Sequence, residues 1–288
     1  MDSFQEILGK DVASCYIPLV ESVLNNRNHT IYQFMSHSDF KALQESDVDE
    51  ANAQYIKEII FRSHFASMSS IAKNLEWLKG MKFAYENGLY LPFSSSMRSL
   101  IESTADSFDA LLHVGITLAE HNTVLNKKLK KGGGDFVTLT ELEDVLIHYS
   151  HARRIEKGEK APTTHKAKQP YEYIKSLDSK TGQKFYELYS ELCQLTHPAA
   201  QGVLHMMPAI SDSEFFFDER CGKEKIELLL KRNKALIPDL ISFAFNPGLL
   251  TLKVLNYLDL SSCHSEYLKI VNFDAIPAWL HCKKHLNA

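Results

Sequence analysis

The sequence predicts an all-α protein, a helical bundle of about nine helices with no significant sheet. Three observations carry this expectation. Apolar residues recur at three- and four-residue spacing through most of the chain, and no segment alternates convincingly as a strand would, a short SEFFFD at residues 213–218 being the one candidate. Only 12 glycines and 9 prolines interrupt 288 residues, which favours long continuous elements.

Taken in order, Ser3 stands where it can cap a helix over residues 3–25, in which Ile7, Leu8, Val12, Tyr16, Leu19 and Val23 keep the helical period. The polar turn NNRNH separates it from a short helix near residues 30–44. Asp47 and Asp49 open a long helix through residue 87, with Tyr55, Ile56, Ile59, Ile60, Phe65, Met68, Ile71, Leu75, Leu78 and Phe83 on its apolar side and Asn87-Gly88 as its stop. A central helix is expected over residues 94–129, with serines 94–96 as caps and KKLKKGGGD as its end. Thr138 and Glu141 have capping-box spacing for a helix running to about residue 155. A lysine-rich loop follows.

Helix restarts at Tyr171, breaks over residues 178–182, and resumes over 183–196 until His197-Pro198 ends it. Residues 199–222 show no clean period. Three further helices are expected over residues 224–245, 248–260 and 266–285, with Pro238 and Pro277 as kinks or boundaries. The natural division is a main bundle over residues 1–215 with C-terminal helices 216–288 packed on it, unless the whole is a single domain.

Composition narrows the functional classes. The apolar fraction of 44% and charged fraction of 24% are those of a soluble globular chain. A net charge of −4 and a pI near 6.4 supply no global basic field for nucleic acid or anionic membrane. Five dispersed cysteines without a CxxC pair read as reduced thiols. The N-terminus lacks a signal-peptide pattern and no apolar run approaches a membrane span, so the expected location is the cytoplasm.

The central helix carries the first candidate site. Arg98, Glu102, Asp106, Asp109 and His113 fall within a sector of about 80° at 100° per residue. They form either a solvated face or the wall of a polar cleft. In the cleft, Arg98 offers a planar donor fork to a carboxylate or phosphate, Asp106 and Asp109 act as bases, and His113 is the titratable partner. The second candidate is YELYSELCQLTHP, residues 186–198. There Cys193 and His197, four apart, could pair as thiolate and imidazole, or serve as a core cysteine and a helix-end histidine.

R-x-x-x-E at Arg98 and Glu102, followed by Tyr189, Leu192, Cys193, His197 and Pro198 in the pattern Y-x-x-L-[SC]-x-x-x-H-P, resembles a loose set of uncharacterised bacterial all-helical families, some associated with abortive infection. Cys193 stands where those families usually show serine. The resemblance covers about thirty residues and implies a helical bundle with a polar site between two helices, built from Arg98, Glu102, Tyr189, Cys193 and His197. It leads to a protein that binds a small anionic ligand or a partner in a bacterial defence or stress setting. The competing expectations are a metal-independent ribonuclease or other hydrolase with His197 or His113 as acid–base group, and a non-catalytic scaffold. The HEPN class of ribonucleases places an Arg and then a His on one helix in the spacing R-x4–6-H, and no arginine here is followed by a histidine at that spacing.

Three further features have bland readings beside sharper ones. Asp144, His148 and His151 share a sector of about 60° and could ligate a divalent metal. Leu142, Val145, Leu146 and Tyr149 lie opposite, so the three are expected in solvent, and neither a metal nor a cofactor is expected. Residues 153–168 hold Arg153, Arg154, Lys157, Lys160, Lys166 and Lys168 against Glu156 and Glu159. With lysines 127, 128, 130 and 131 they could meet a phosphate backbone, or simply be solvated. The apolar C-terminal helices, with Phe243, Phe245, Leu249, Leu250, Leu252, Leu255, Tyr257 and Leu258, suit a core or a homodimer face, not a membrane.

Overall fold

The helical period of the sequence is realised along most of the chain: 72% of the described residues are helical, and they contain no strand. The computed structural model describes residues 2–197 and 200–286. In chain order the helices are α1 Ser3–Leu8, α2 Lys10–Asn25, α3 His37–Ser46, α4 Val48–Glu86, α5 Tyr90–Leu111, α6 Val114–Glu120, α7 Asn122–Leu129 and α8 Thr140–His151. They continue as α9 Pro170–Thr181, α10 Phe185–Thr196, α11 Ala200–Leu204, α12 Gly222–Arg232, α13 Leu236–Leu255, α14 Glu266–Ile270 and α15 Pro277–Leu286.

There are more and shorter helices than the nine expected, and each extra break has a local cause. Gly9 takes φ 85°, so the first helix is split into α1 and α2, and the cap of α1 is Asp2, not Ser3. The central helix begins at Tyr90, ahead of the serines expected to cap it, and is interrupted at residues 112–113 and at His121. The Thr138–Glu141 capping box does not form. Instead Asn52 exchanges bonds with the Val137 backbone at 2.9 and 3.1 Å, and the Tyr55 hydroxyl accepts from the Leu139 amide at 3.0 Å. This pins the loop to α4 so that α8 starts at Thr140, and it ends at His151, short of residue 155. SEFFFD makes only an isolated bridge between Ala209 and Phe215.

Pro247-Gly248 does not end a helix either. Pro247 and Gly248 sit inside α13, and the elbow expected there lies at residues 233–235. A Cβ on Gly248 would lie 3.3 Å from the Ser67 carbonyl oxygen and from the Ile71 side chain. The glycine thus serves close approach of α13 to α4, and packing overrides its breaker tendency.

The chain divides into two compact units that interleave in sequence. The first comprises Met1–Val20, Ala72–Asp109 and Lys168–Phe245; the second comprises Glu21–Ile71, Ala110–Ala167 and Asn246–Ala288. The C-terminal residues from 216 onward are therefore shared between the units. In the first, Phe93, Met97, Leu100 and Ile101 of α5 and Phe185 and Leu192 of α10 are buried. Phe243 meets Phe108 and Phe185 edge-on at 5.3 and 6.1 Å. Asn74 of α4 adds a buried polar tie: it donates to the Ala244 carbonyl at 2.9 Å and accepts from Ser103 at 2.6 Å, which fixes α5 against α4 and α13.

In the second unit Ile56, Ile59, Ile60 and Ile71 of α4 form the core with Leu118, Leu125, Leu252, Leu255 and Leu268. A Cβ on Gly115 would lie 3.2–3.3 Å from Leu250 and Thr251, so glycine lets α6 lie close to α13. No single helix among the described residues is long and apolar enough to cross a membrane. Only the pair α12 and α13, bent by 82°, passes by length and composition. Leu249, Leu250, Leu252 and Leu255 of α13 are all buried.

Candidate functional site

Within the first unit α5 and α10 place four of the expected residues together. Arg98 and Glu102, one turn apart on α5, form an ion pair with Nε 3.5 Å from Oε1. That Nε is buried yet makes no hydrogen bond, an uncommon state for a guanidinium nitrogen. Arg98 Nη1 donates to Thr196 Oγ1 at 3.2 Å, and Thr196 in turn donates to the Leu192 carbonyl at 2.9 Å. Tyr189 lies against the same carboxylate. Burial first, then hydrogen bonding to Cys193 and the negative field of Glu102, hold its hydroxyl well above the ordinary tyrosine value. It remains a neutral donor at any physiological pH.

His197 does not join this group through its ring. It is the C-cap of α10, exposed, and its backbone N–H donates to the Cys193 carbonyl at 2.9 Å. Among the described residues no hydrogen bond links the Cys193 thiol to the His197 ring. Cys193 is engaged with Tyr189, one turn earlier, and of the two readings the arrangement is that of a helix-end histidine without a thiolate–imidazole pair. Pro198 of the motif lies outside the described residues. Thr196, which carries no motif signal, supplies the contact to Arg98 in place of its neighbour His197.

The next two acids of the stripe on α5 make partly exposed ion pairs with lysines of neighbouring segments. Asp106 pairs with Lys73 of α4 at 3.3 Å. Asp109 accepts from Lys180 at 2.7 Å, Lys168 at 2.9 Å and Ser176 at 3.3 Å. Burial pushes the Asp109 carboxyl up, but hydrogen bonds from Lys180 and Lys168 outweigh it, and the net shift is downward. Such a carboxylate is a poor general base. His113 falls in the break after α5, exposed and off the stripe.

Asp144, His148 and His151 do not converge on a metal. His148 Nδ1 bonds the Thr164 carbonyl at 2.7 Å, and His151 bonds Ser150 and stacks on His165. The basic loop is partly neutralised from within: Arg153 grips Glu159 with both terminal nitrogens, and Lys168 is committed to Asp109. Lys130 and Lys131 pair with Asp259 and Glu50, while Lys128 is buried and donates to the Gly134 carbonyl.

One concavity lies where no motif pointed. A cavity of about 610 Å³ opens in the first unit at the Gly9 break between α1 and α2, against Tyr85 and the elbow of α12 and α13. Lys10, Lys231 and Lys234 face Glu6, Asp11 and Glu227 around an apolar floor that includes Ile7, Leu230 and Ile237. Burial, a hydrogen bond to Glu6 and the charge of Glu227 push the Tyr85 hydroxyl up to about 12. Its only sequence signal is the glycine that breaks the first helix.

Comparison with protein-family models, with curated proteins and with solved structures finds no match.

Proposed function

We propose that the chain is a recognition protein for a small anionic group, taken up beside Arg98 where α5 meets α10. The observation that carries this reading is the buried Arg98 Nε without a hydrogen-bond partner, next to a second nitrogen held in place by Thr196. A guanidinium presents its donors in a plane that matches carboxylate or phosphate, and one whose orientation is already fixed loses little freedom on binding. Glu102, with Oε1 3.5 Å from the arginine Nε, opposes an incoming negative charge and keeps the arginine from behaving as an indiscriminate cation. Tyr189 is a neutral donor at the same place. The two motifs resemble uncharacterised bacterial families, some of them associated with abortive infection, and on that resemblance we place this binding in a cytoplasmic defence or stress setting. A ribonuclease or hydrolase reading draws less support: His113 and His197 are both exposed, and no described residue bonds either ring.

A second reading of the same function rests on the cavity at Gly9, whose volume lies within the range of small-molecule sites. Calorimetric titration with inorganic phosphate, citrate and nucleoside monophosphates separates the two. The first reading expects binding to at least one of them, abolished in Arg98→Ala and retained in Lys10→Ala and Lys231→Ala. The opposite pattern moves the site to the cavity. Absence of binding to all three in the wild-type chain removes the proposal.

A further inference from the structure

The second unit brings two histidines and a glutamate to one point, independently of the Arg98 group. His281 and His285 stand four residues apart on α15, so their imidazoles project from one face, with ring centroids 5.0 Å apart. Glu120 ends α6, which packs against α15, and its Oε1 lies 2.8 Å from His281 Nε2. One ligand atom from each of the three residues lies within 4.8 Å of the others, the only such trio of His, Cys, Asp or Glu among the described residues.

We infer that Glu120, His281 and His285 form a binding site for a borderline divalent cation of the zinc class. Two imidazole nitrogens and one carboxylate oxygen are the ligand set that zinc takes with a fourth position left to water or an outside ligand, whereas calcium and magnesium ask for all-oxygen shells. The geometry needs only a small adjustment. Tetrahedral coordination at about 2.0–2.2 Å sets ligand atoms roughly 3.3–3.6 Å apart, so the His281–Glu120 pair opens slightly and His285 swings in. The side chains are free to do so, because Glu120 and His281 are 39% and 47% exposed. Their supports are firm: Cys282, between the two histidines, is fully buried against the Gly115 carbonyl, and Trp279 is buried one turn earlier. Cys282 points into this packing and is not a ligand. Bound metal ties α15 to α6, and a ligand held only by the folded chain raises its stability by mass action.

The test is a zinc titration of the full chain, stripped with chelator, in competition with a chromophoric indicator. One equivalent is expected to bind. His281→Ala, His285→Ala and Glu120→Gln are each expected to weaken it by at least about tenfold, the loss that even an outer-shell partner of a metal ligand produces. His37→Ala, an exposed histidine on α3, is expected to leave it unchanged. Circular dichroism establishes that each variant is folded. Cobalt(II) supplies a second readout, a visible tetrahedral spectrum that is lost in the three variants. Absence of stoichiometric binding, or binding that survives all three substitutions, overturns the inference.

Discussion

Arg98 on α5 reaches Thr196 on α10, Nη1 to Oγ1 at 3.2 Å, and stops one residue short of the histidine that the sequence pattern offers as its partner. The contact makes the guanidinium part of the packing between two helices while leaving its Nε without a hydrogen bond. Around it, polar groups that read as one stripe in the sequence separate into an arginine paired with Glu102 and two carboxylates paired with lysines.

Asp109 is the stronger of those carboxylates. Replacing it with asparagine leaves Lys168 and Lys180 without their shared anion, and urea denaturation is expected to show a loss of about 1–2 kcal/mol, since the lysines are partly exposed and screened. Because its folded pKa is lowered, this contribution is present above the unfolded value near 3.9 and is lost as pH falls through the folded one. The Asp109→Asn chain is expected to lack that acid-range loss.

His64 makes a second pH test. Burial lowers its pKa to about 4, and Tyr32, held protonated by a pKa near 12 that burial raises, bonds its Nδ1 at 2.6 Å. Tyr32 therefore donates and Nε2 keeps the proton of the neutral ring. The unfolded chain binds a proton that the folded chain refuses between about pH 6.5 and 4. Stability is then full above 6.5 and falls by about 3 kcal/mol on acidification to 4. Denaturation of His64→Gln across this window is expected to show a correspondingly flatter profile.

Lys253 is buried, and its ammonium donates to the carbonyls of Leu268, Lys269 and Val271 at 2.5, 3.1 and 2.9 Å, closing the C-terminal end of α14. Phe273 and Trp279 lie beside it. Lys253→Met keeps the length and loses the donors, with an expected cost of about 2–4 kcal/mol by denaturation.

Gly222 begins α12 against the Gly88 carbonyl oxygen, so close that an added Cβ would overlap that oxygen. Backbone cannot yield as a side-chain tip does. Gly222→Ala is expected to destabilise the chain by about 3 kcal/mol, measured in the same way.

Helical class and the larger elements were legible because they depend on local periodicity. The long helix expected over residues 47–87 is observed as α4 Val48–Glu86, ended by Gly88 at φ 66° as its Asn-Gly signal implies. Breaks decided by tertiary contact were not legible. Nothing near Gly248 announces that α4 lies against it, and the Gly9 break sits in a segment whose apolar period is continuous. The candidate site divides in the same way. Arg98 and Glu102 are neighbours by helical spacing alone, whereas the partners of Asp109 lie 59 to 71 residues away and carry no local mark. The Glu120–His281–His285 trio carries no local mark either, since Glu120 lies 161 residues from His281.

Nitrogen-15 NMR of the arginine side chains tests the reading of Arg98 most directly, with the Nε–H resonance assigned through Arg98→Lys. Titration with inorganic phosphate, citrate or a nucleoside monophosphate is expected to shift that resonance downfield in a saturable manner, more than any other arginine of the chain. A resonance that stays fixed while other arginines move, or that moves linearly without saturation for all three anions, contradicts a recognition site at Arg98.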